Sequence, residues 1–225
     1  MVEELVRDFV PEALAPGPNS AGLERVNSKF YIGHRSARWR ESDLIWKLPA
    51  PQCTEGYLYL LFEFQSKNDW WMPLRTQVYQ GLLWQQVVDE LNLQTGAQLP
   101  PLLLIVLYNG KPRWKPPTNI RELIALSPAS PLWPSQPRIR YHLLDIGAFP
   151  GDALTRRTTL AALLFRLEQR PPRHELERLF GEIESWFRAN PGLERLQRLF
   201  AELMREAFAG EKDAKLSSPS DTRRN

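Results

Sequence analysis

Residues 41–67 read ESDLIWKLPAPQCTEGYLYLLFEFQSK. Two runs rich in aromatic and branched residues, at about 43–48 and 57–65, flank a Pro/Gly segment, the pattern of paired strands. Asp43 opens the first run, and Glu63 and Gln65 close the second. Side chains alternate along a strand, so Glu63 and Gln65 share a face. An antiparallel hairpin turning near Cys53 sets Asp43 opposite Glu63, with Cβ atoms about 4.5–5.5 Å apart. Carboxylates that close repel each other unless a cation lies between them. The pattern therefore predicts a divalent-metal site on the lip of a sheet, made of Asp43, Glu63 and the backbone carbonyl of Phe64. Mg²⁺ or Mn²⁺ suits such oxygen donors and leaves room for a phosphate. A metal-bound water is then the nucleophile for phosphodiester hydrolysis, with Gln65 hydrogen-bonding that water or a phosphate oxygen. The competing reading is a surface hairpin whose acids pair with nearby Arg or Lys.

The strand pair sits in a longer alternation. After Gln65, SKNDWWMP leads into LRTQVYQGLLWQQVVDEL, with Pro73 suited to a first helical turn. Leu74, Val78, Leu82 and Leu91, with Val87 and Val88 between, read as the helix's apolar stripe. The unbroken run Leu102–Tyr108 reads as a strand buried on both faces, stopped by Asn109-Gly110. Strand, helix and buried strand make a crossover unit, and a further strand is expected at about 139–146. Upstream, 2–9 reads as a short helix and 22–32 as a helix end or an edge strand. The expected fold class is α/β. The expected division is a core over 1–150, amphipathic helices over 151–210 and a disordered tail over 211–225. Leu160, Leu163, Leu164 and Leu167 mark one of those helices. Leu176, Leu179, Phe180, Ile183 and Phe187 mark a second, and Leu193, Leu196, Phe200, Leu203 and Met204 a third beyond Pro191-Gly192.

Composition bounds the alternatives. The 225 residues are 43% hydrophobic and 24% charged, ordinary for a globular chain with a real core. One cysteine excludes an internal disulfide and a cysteine-cluster zinc site, and fits a reducing cytoplasm. No stretch has the length of a membrane span, and MVEELVRDFV has no signal-peptide apolar region, so no membrane partner is expected. A net charge of +3 is only mildly basic, so the distribution of charge must identify partners. There is no P-loop, no G-x-G-x-x-G and no G-x-S-x-G, and the three histidines are widely spaced.

Two loops interleave basic residues with Trp: Arg38-Trp39-Arg40, and Lys111, Arg113, Trp114 and Lys115. That mixture suits nucleic-acid backbone contact with base stacking. The competing view is solvated loops with a Trp folded onto the core. Arg75 and Tyr79, four apart, share a helix face. Arg75 is placed to touch a phosphate and Tyr79 to support it, against a snorkelling Arg and a half-buried Tyr. Asp69 either assists the metal or caps the helix that follows.

At LERVN, ESDLIWKL, YLYLLFEFQSKNDWWMPLRTQVYQGLL and LPPLLLIVLYNGKPRW the chain resembles the Rpn family of recombination-promoting nucleases, often labelled transposases, within the PD-(D/E)xK superfamily. The likeness spans about 3–168 and is specific over 40–115. It implies a restriction-endonuclease-like core, a mixed sheet flanked by helices, with metal-dependent DNA cleavage. Under that resemblance Asp43 matches the first-strand Asp, Glu63 the second acid, and Gln65 stands where the motif has Lys. Glu24 matches an extra acid that some members carry on the first helix. Ser42 replaces the motif's Pro. Gln65 is the weightier departure, because an amide hydrogen-bonds without offsetting transition-state charge.

The expectation is a Mg²⁺- or Mn²⁺-dependent DNA endonuclease aiding recombination or horizontal gene transfer. The alternative is a catalytically inactive DNA-binding or assembly protein on the same fold. Homodimerisation through the C-terminal helices is a further expectation, set against packing of those helices on the chain's own core.

Overall fold

The computed structural model describes residues 2–11, 24–26, 29–32, 38–41, 44–49, 57–202 and 205. Of residues 29–32, 38–41 and 57 it describes the backbone alone. The chain divides into two compact units, residues 5–148 and residues 1–4 with 149–225.

The first unit is built on a five-stranded sheet in the order β1-β4-β5-β6-β7. Its strands are β1 (Glu24–Val26), β4 (Leu44–Pro49), β5 (Tyr57–Gln65), β6 (Leu102–Tyr108) and β7 (His142–Asp145). A two-stranded ribbon, β2 (Lys29–Ile32) with β3 (Arg38–Glu41), stands apart in hydrogen bonding. The ladder β4–β5 is antiparallel from Pro49↔Tyr57 to Leu44↔Phe62, so the expected hairpin pairing is present. Its partners are centred on residue 53. β5–β6 and β6–β7 are parallel. The fold is thus α/β with a mixed sheet flanked by helix, compatible with a restriction-endonuclease-like core. Residues 22–32, read as a helix end or an edge strand, supply β1 and β2.

Parallel strands need a crossover, and α2 (Met72–Glu90) provides it between β5 and β6. Pro73 lies in its first turn, where the missing N–H costs no hydrogen bond. Its buried face is Met72, Thr76, Tyr79, Leu83 and Val87, packed on Ile45, Tyr59, Leu61, Leu104 and Val106. This corrects the expected stripe: Leu74, Val78 and Leu91 are exposed. Apolar residues occur all round this helix, so periodicity alone selects no face. The face that wins is the one the sheet covers, and its buried threonine is satisfied within the helix. The Thr76 hydroxyl donates to the carbonyls of Met72 and Pro73 at 3.1 and 3.0 Å.

β6 is buried from Leu104 to Tyr108, as its unbroken apolar run requires. Beyond it, Gly110 closes a tight approach: a Cβ there would lie 2.6 Å from the Ser66 carbonyl oxygen.

In the second unit, α3 (Gly151–Thr155), which the periodicity did not suggest, precedes α4 (Leu160–Glu168) and α5 (Arg173–Ala189). Leu160, Leu163 and Leu167 pack with Leu176, Leu179, Phe180, Ile183, Phe187 and Phe200 in one cluster. These residues of the expected stripes line this unit's own core, the arrangement weighed against self-association. A further helical segment runs over 194–202 after Gly192, whose φ of +87° breaks the chain direction. Leu203, Met204 and the tail 211–225 lie outside the described residues. The N-terminal α1 (Val2–Phe9) buries Leu5, Val6 and Phe9.

Candidate active site

β5 is the middle strand of the sheet, and its last residues carry the polar side chains. Strand alternation puts Glu63 and Gln65 on the face that also carries Tyr59 and Leu61, the face covered by α2. Glu63 is only 2% exposed. A carboxylate that buried is strongly disfavoured without a compensating charge. Arg75, on the first turn of α2, supplies it: Nη2 donates to Glu63 Oε1. Gln65 Nε2 donates to the same oxygen at 3.1 Å, confirming the shared face.

Arg75 is held from three sides. Its Nη1 donates to Asp69 Oδ2 at 2.8 Å, its Nη2 to Tyr79 Oη at 3.3 Å, and the guanidinium carbon lies 5.9 Å from the Tyr79 ring centroid. Burial works against its charge. The hydrogen bonds to Asp69 and Tyr79 and the field of Glu63 outweigh burial and raise its pKa above the ordinary value. Arg75 is therefore a permanent cation between two carboxylates. Asp69 also fixes the turn that enters α2: its Oδ1 accepts from Trp71 N at 2.9 Å and its carbonyl from Met72 N at 3.2 Å. Of the two readings the sequence offered, it takes up the shaping of the helix start, and it also joins the charge cluster by pairing with Arg75.

Asp43 lies outside the described residues, as do the side chains of Arg38 and Arg40. Asp43 directly precedes Leu44, whose ladder partner Phe62 directly precedes Glu63. Phe64 pairs in register with Leu107 and turns a half-exposed ring to the opposite face from Glu63. Glu24 is exposed on the edge strand β1, not on a helix, and stands opposite Lys47. Lys47 in turn pairs with Tyr59, which puts Glu24's row four residues short of Glu63 along β5. That is roughly 13 Å at about 3.3 Å per residue. The structure does not bring Glu24 to Glu63.

Among the described residues, no group of three His, Cys, Asp or Glu is placed to hold a metal ion. What the described residues contribute is one buried carboxylate whose hard oxygens suit Mg²⁺ or Mn²⁺ and which already draws a positive charge to itself. That donor chemistry fits a dication when a second carboxylate joins it.

Lys111, Arg113 and Lys115 are exposed on the loop that follows β6. Trp114 is folded onto the core, as the competing view held. Its Nε1 donates to Tyr141 Oη at 3.0 Å, and its ring meets Tyr108 edge-on at 4.9 Å. This loop is stitched to the one after β5. Asn68 Nδ2 donates to Tyr108 Oη at 3.1 Å, and Asn68 Oδ1 accepts from Lys115 N at 2.8 Å. Asp145, at the end of β7, accepts from Trp114 N at 3.2 Å and lies 3.9 Å from Arg113. Burial and the Asp145 charge raise the pKa of Tyr108, which keeps its phenol a donor to the Pro112 carbonyl at 2.6 Å.

Sequence reasoning passed over Asn68 and Asp145. Their signal was position: each is a polar residue at or just past the carboxyl end of a parallel strand, where ligand sites of open α/β sheets gather. The ends of β5, β6 and β7 meet in register at Gln65↔Tyr108↔Asp145.

The family described as "Putative transposase, YhgA-like" matches residues 2–196 of this chain. No curated protein and no solved structure gives a significant match. The match covers most of the chain, and the chain belongs to that family.

Proposed function

We propose that this member of the YhgA-like putative transposase family is a metal-dependent DNA endonuclease that hydrolyses phosphodiester bonds at Glu63, in support of recombination or horizontal gene transfer. The observation that carries the reading is a carboxylate 2% exposed at the end of the central strand, compensated by a cation. A sheet does not need a charge there for packing. Replacing such a buried pair by apolar residues is often neutral or stabilising.

Asp43, Glu63 and the Phe64 carbonyl would hold Mg²⁺ or Mn²⁺. When bound, the ion supplies a Lewis acid for the phosphate and an acidified water. The chain's own groups do the rest. Gln65 presents an amide that orients the water or a phosphate oxygen without adding charge. Arg75 has donors to spare for a non-bridging phosphate oxygen, and guanidinium–phosphate pairing is strong and directional. Asp69, through Nη1, and Tyr79 and Glu63, through Nη2, retain Arg75, and its remaining N–H groups are left for that oxygen. Lys111, Arg113 and Lys115, with Arg38 and Arg40, offset backbone phosphates.

A second reading has its own observation. Arg75 neutralises Glu63 and Gln65 replaces the motif's lysine, which together favour a DNA-binding or assembly protein without catalysis. Purified chain incubated with supercoiled plasmid separates the two. Relaxed circles that appear with Mg²⁺ and vanish with chelator support the endonuclease. Salt-sensitive binding with no products at any metal supports the second reading.

A further inference from the structure

We propose that the Trp70–Trp71 pair is a stacking platform for unpaired bases, so that the substrate of the Glu63 site is single-stranded DNA. The inference deepens the endonuclease reading and rests on it for the word substrate.

The two indoles are 56% and 57% exposed. Tryptophan is among the side chains most buried on average, so two adjacent exposed ones call for an occupant. They are not on a loose loop. Trp71 N donates to Asp69 Oδ1 at 2.9 Å, the Trp71 carbonyl accepts from Arg75 N at 3.0 Å, and Asp69 Oδ2 holds Arg75. Arg75 in turn holds Glu63. One chain of hydrogen bonds thus ties the aromatic turn to the buried carboxylate. Those bonds fix the backbone of the turn that carries both indoles, and holding a strand in place at a reaction centre is what favours its cleavage.

The surroundings select the occupant. Leu74 and Val78 continue the exposed ridge from Trp71 at helical spacing. Beside the turn stand the exposed Lys67 and, on the loop stitched to it through Asn68, the exposed Lys111, Arg113 and Lys115. The one acid in the turn, Asp69, is engaged with Arg75. Lysine is depleted in protein–protein interfaces. Aromatic faces among exposed cations, Arg113 of them 3.9 Å from Asp145, suit a polyanion whose bases are free to stack, and a continuous duplex hides those faces.

Fluorescence anisotropy in chelator, where no cleavage intervenes, tests this with a labelled oligothymidine and a blunt duplex as probes. The wild-type chain binds the single strand more tightly. Trp70→Ala and Trp71→Ala each weaken that binding by about 5- to 150-fold, the range expected for loss of one stacked base. Duplex binding stays unchanged, and Trp70→Phe and Trp71→Phe keep most of the affinity. A joint Lys111→Ala and Lys115→Ala variant weakens both probes and flattens the salt dependence. Alanine variants that bind oligothymidine like wild type overturn the proposal. So does a fall in sedimenting mass with unchanged affinity, which assigns the pair to contact between copies. If the Trp effects appear but Mg²⁺ yields no cleavage of any substrate, the endonuclease reading fails alone. If wild type cleaves and the alanine variants bind normally, the stacking proposal fails alone.

Discussion

Glu63 and Arg75 form an ion pair that crosses from the middle strand to the crossover helix, with the carboxylate buried and the guanidinium a third exposed. The asymmetry has a physical consequence. Arg75 keeps an edge open to solvent or a ligand, while Glu63 is enclosed where the strand puts it.

Removing Arg75 strands the Glu63 charge in a nearly dry site. Arg75→Ala lowers stability by about 2–4 kcal/mol, toward the low side for a broken buried pair because the arginine is partly solvated. Combining it with Glu63→Gln costs less than the sum of the single changes, since the amide needs no counter-ion. Denaturant unfolding of the four proteins measures the coupling, and strictly additive losses would count against it.

Gly110 is fixed by space. A methyl group there meets the Ser66 carbonyl 2.6 Å away, backbone that cannot swing aside, and the Tyr108 hydroxyl as well. Gly110→Ala therefore destabilises by about 1–3 kcal/mol. It also separates the two loops that Asn68 joins, so hydrogen exchange at the Lys115 amide speeds up. Wild-type exchange in the variant would contradict this account.

His142 gives the first unit a pH dependence. Burial lowers its pKa, only partly offset by its contact with the Phe9 carbonyl at 3.4 Å. The unfolded chain takes up the proton first, at a pH of about 6.5. The stabilising contribution of the neutral ring is thus complete above that value and is lost as pH falls toward the depressed folded pKa. Thermal unfolding followed across this window shows a decline that His142→Gln flattens. An equal decline in the variant would assign the effect to other groups.

Much of the fold was legible because its strands announce themselves. The run Leu102–Tyr108 has no polar residue, so it had to be central and covered on both sides, and β6 is. The partners of β4–β5 could be aligned from the Pro/Gly segment alone, because a hairpin's midpoint fixes every pair in it. α2 resisted, since Leu74 and Val78 make as good a stripe as Tyr79 and Leu83 until the sheet is there to choose. Glu24 resisted for a similar reason: three residues, Glu24–Val26, are too few to show a period, and their strand exists only by pairing with β4. At the site, the shared face of Glu63 and Gln65 followed from alternation. The Arg75 bridge did not. Two residues twelve apart meet only because the turn at Asp69 folds α2 back over β5.

The rate of Mg²⁺-dependent nicking of supercoiled DNA by wild type and by Glu63→Gln, each shown to be folded by circular dichroism, tests the role of the buried carboxylate most directly. An amide matches the acid in shape, retains one oxygen to accept from Gln65, and replaces the charged carboxylate's other oxygen with a neutral donor. The account predicts metal-dependent nicking by wild type and a loss of at least about 100-fold in the variant, on the scale of removing one charge-stabilising catalytic group. Equal nicking by the two proteins would contradict it.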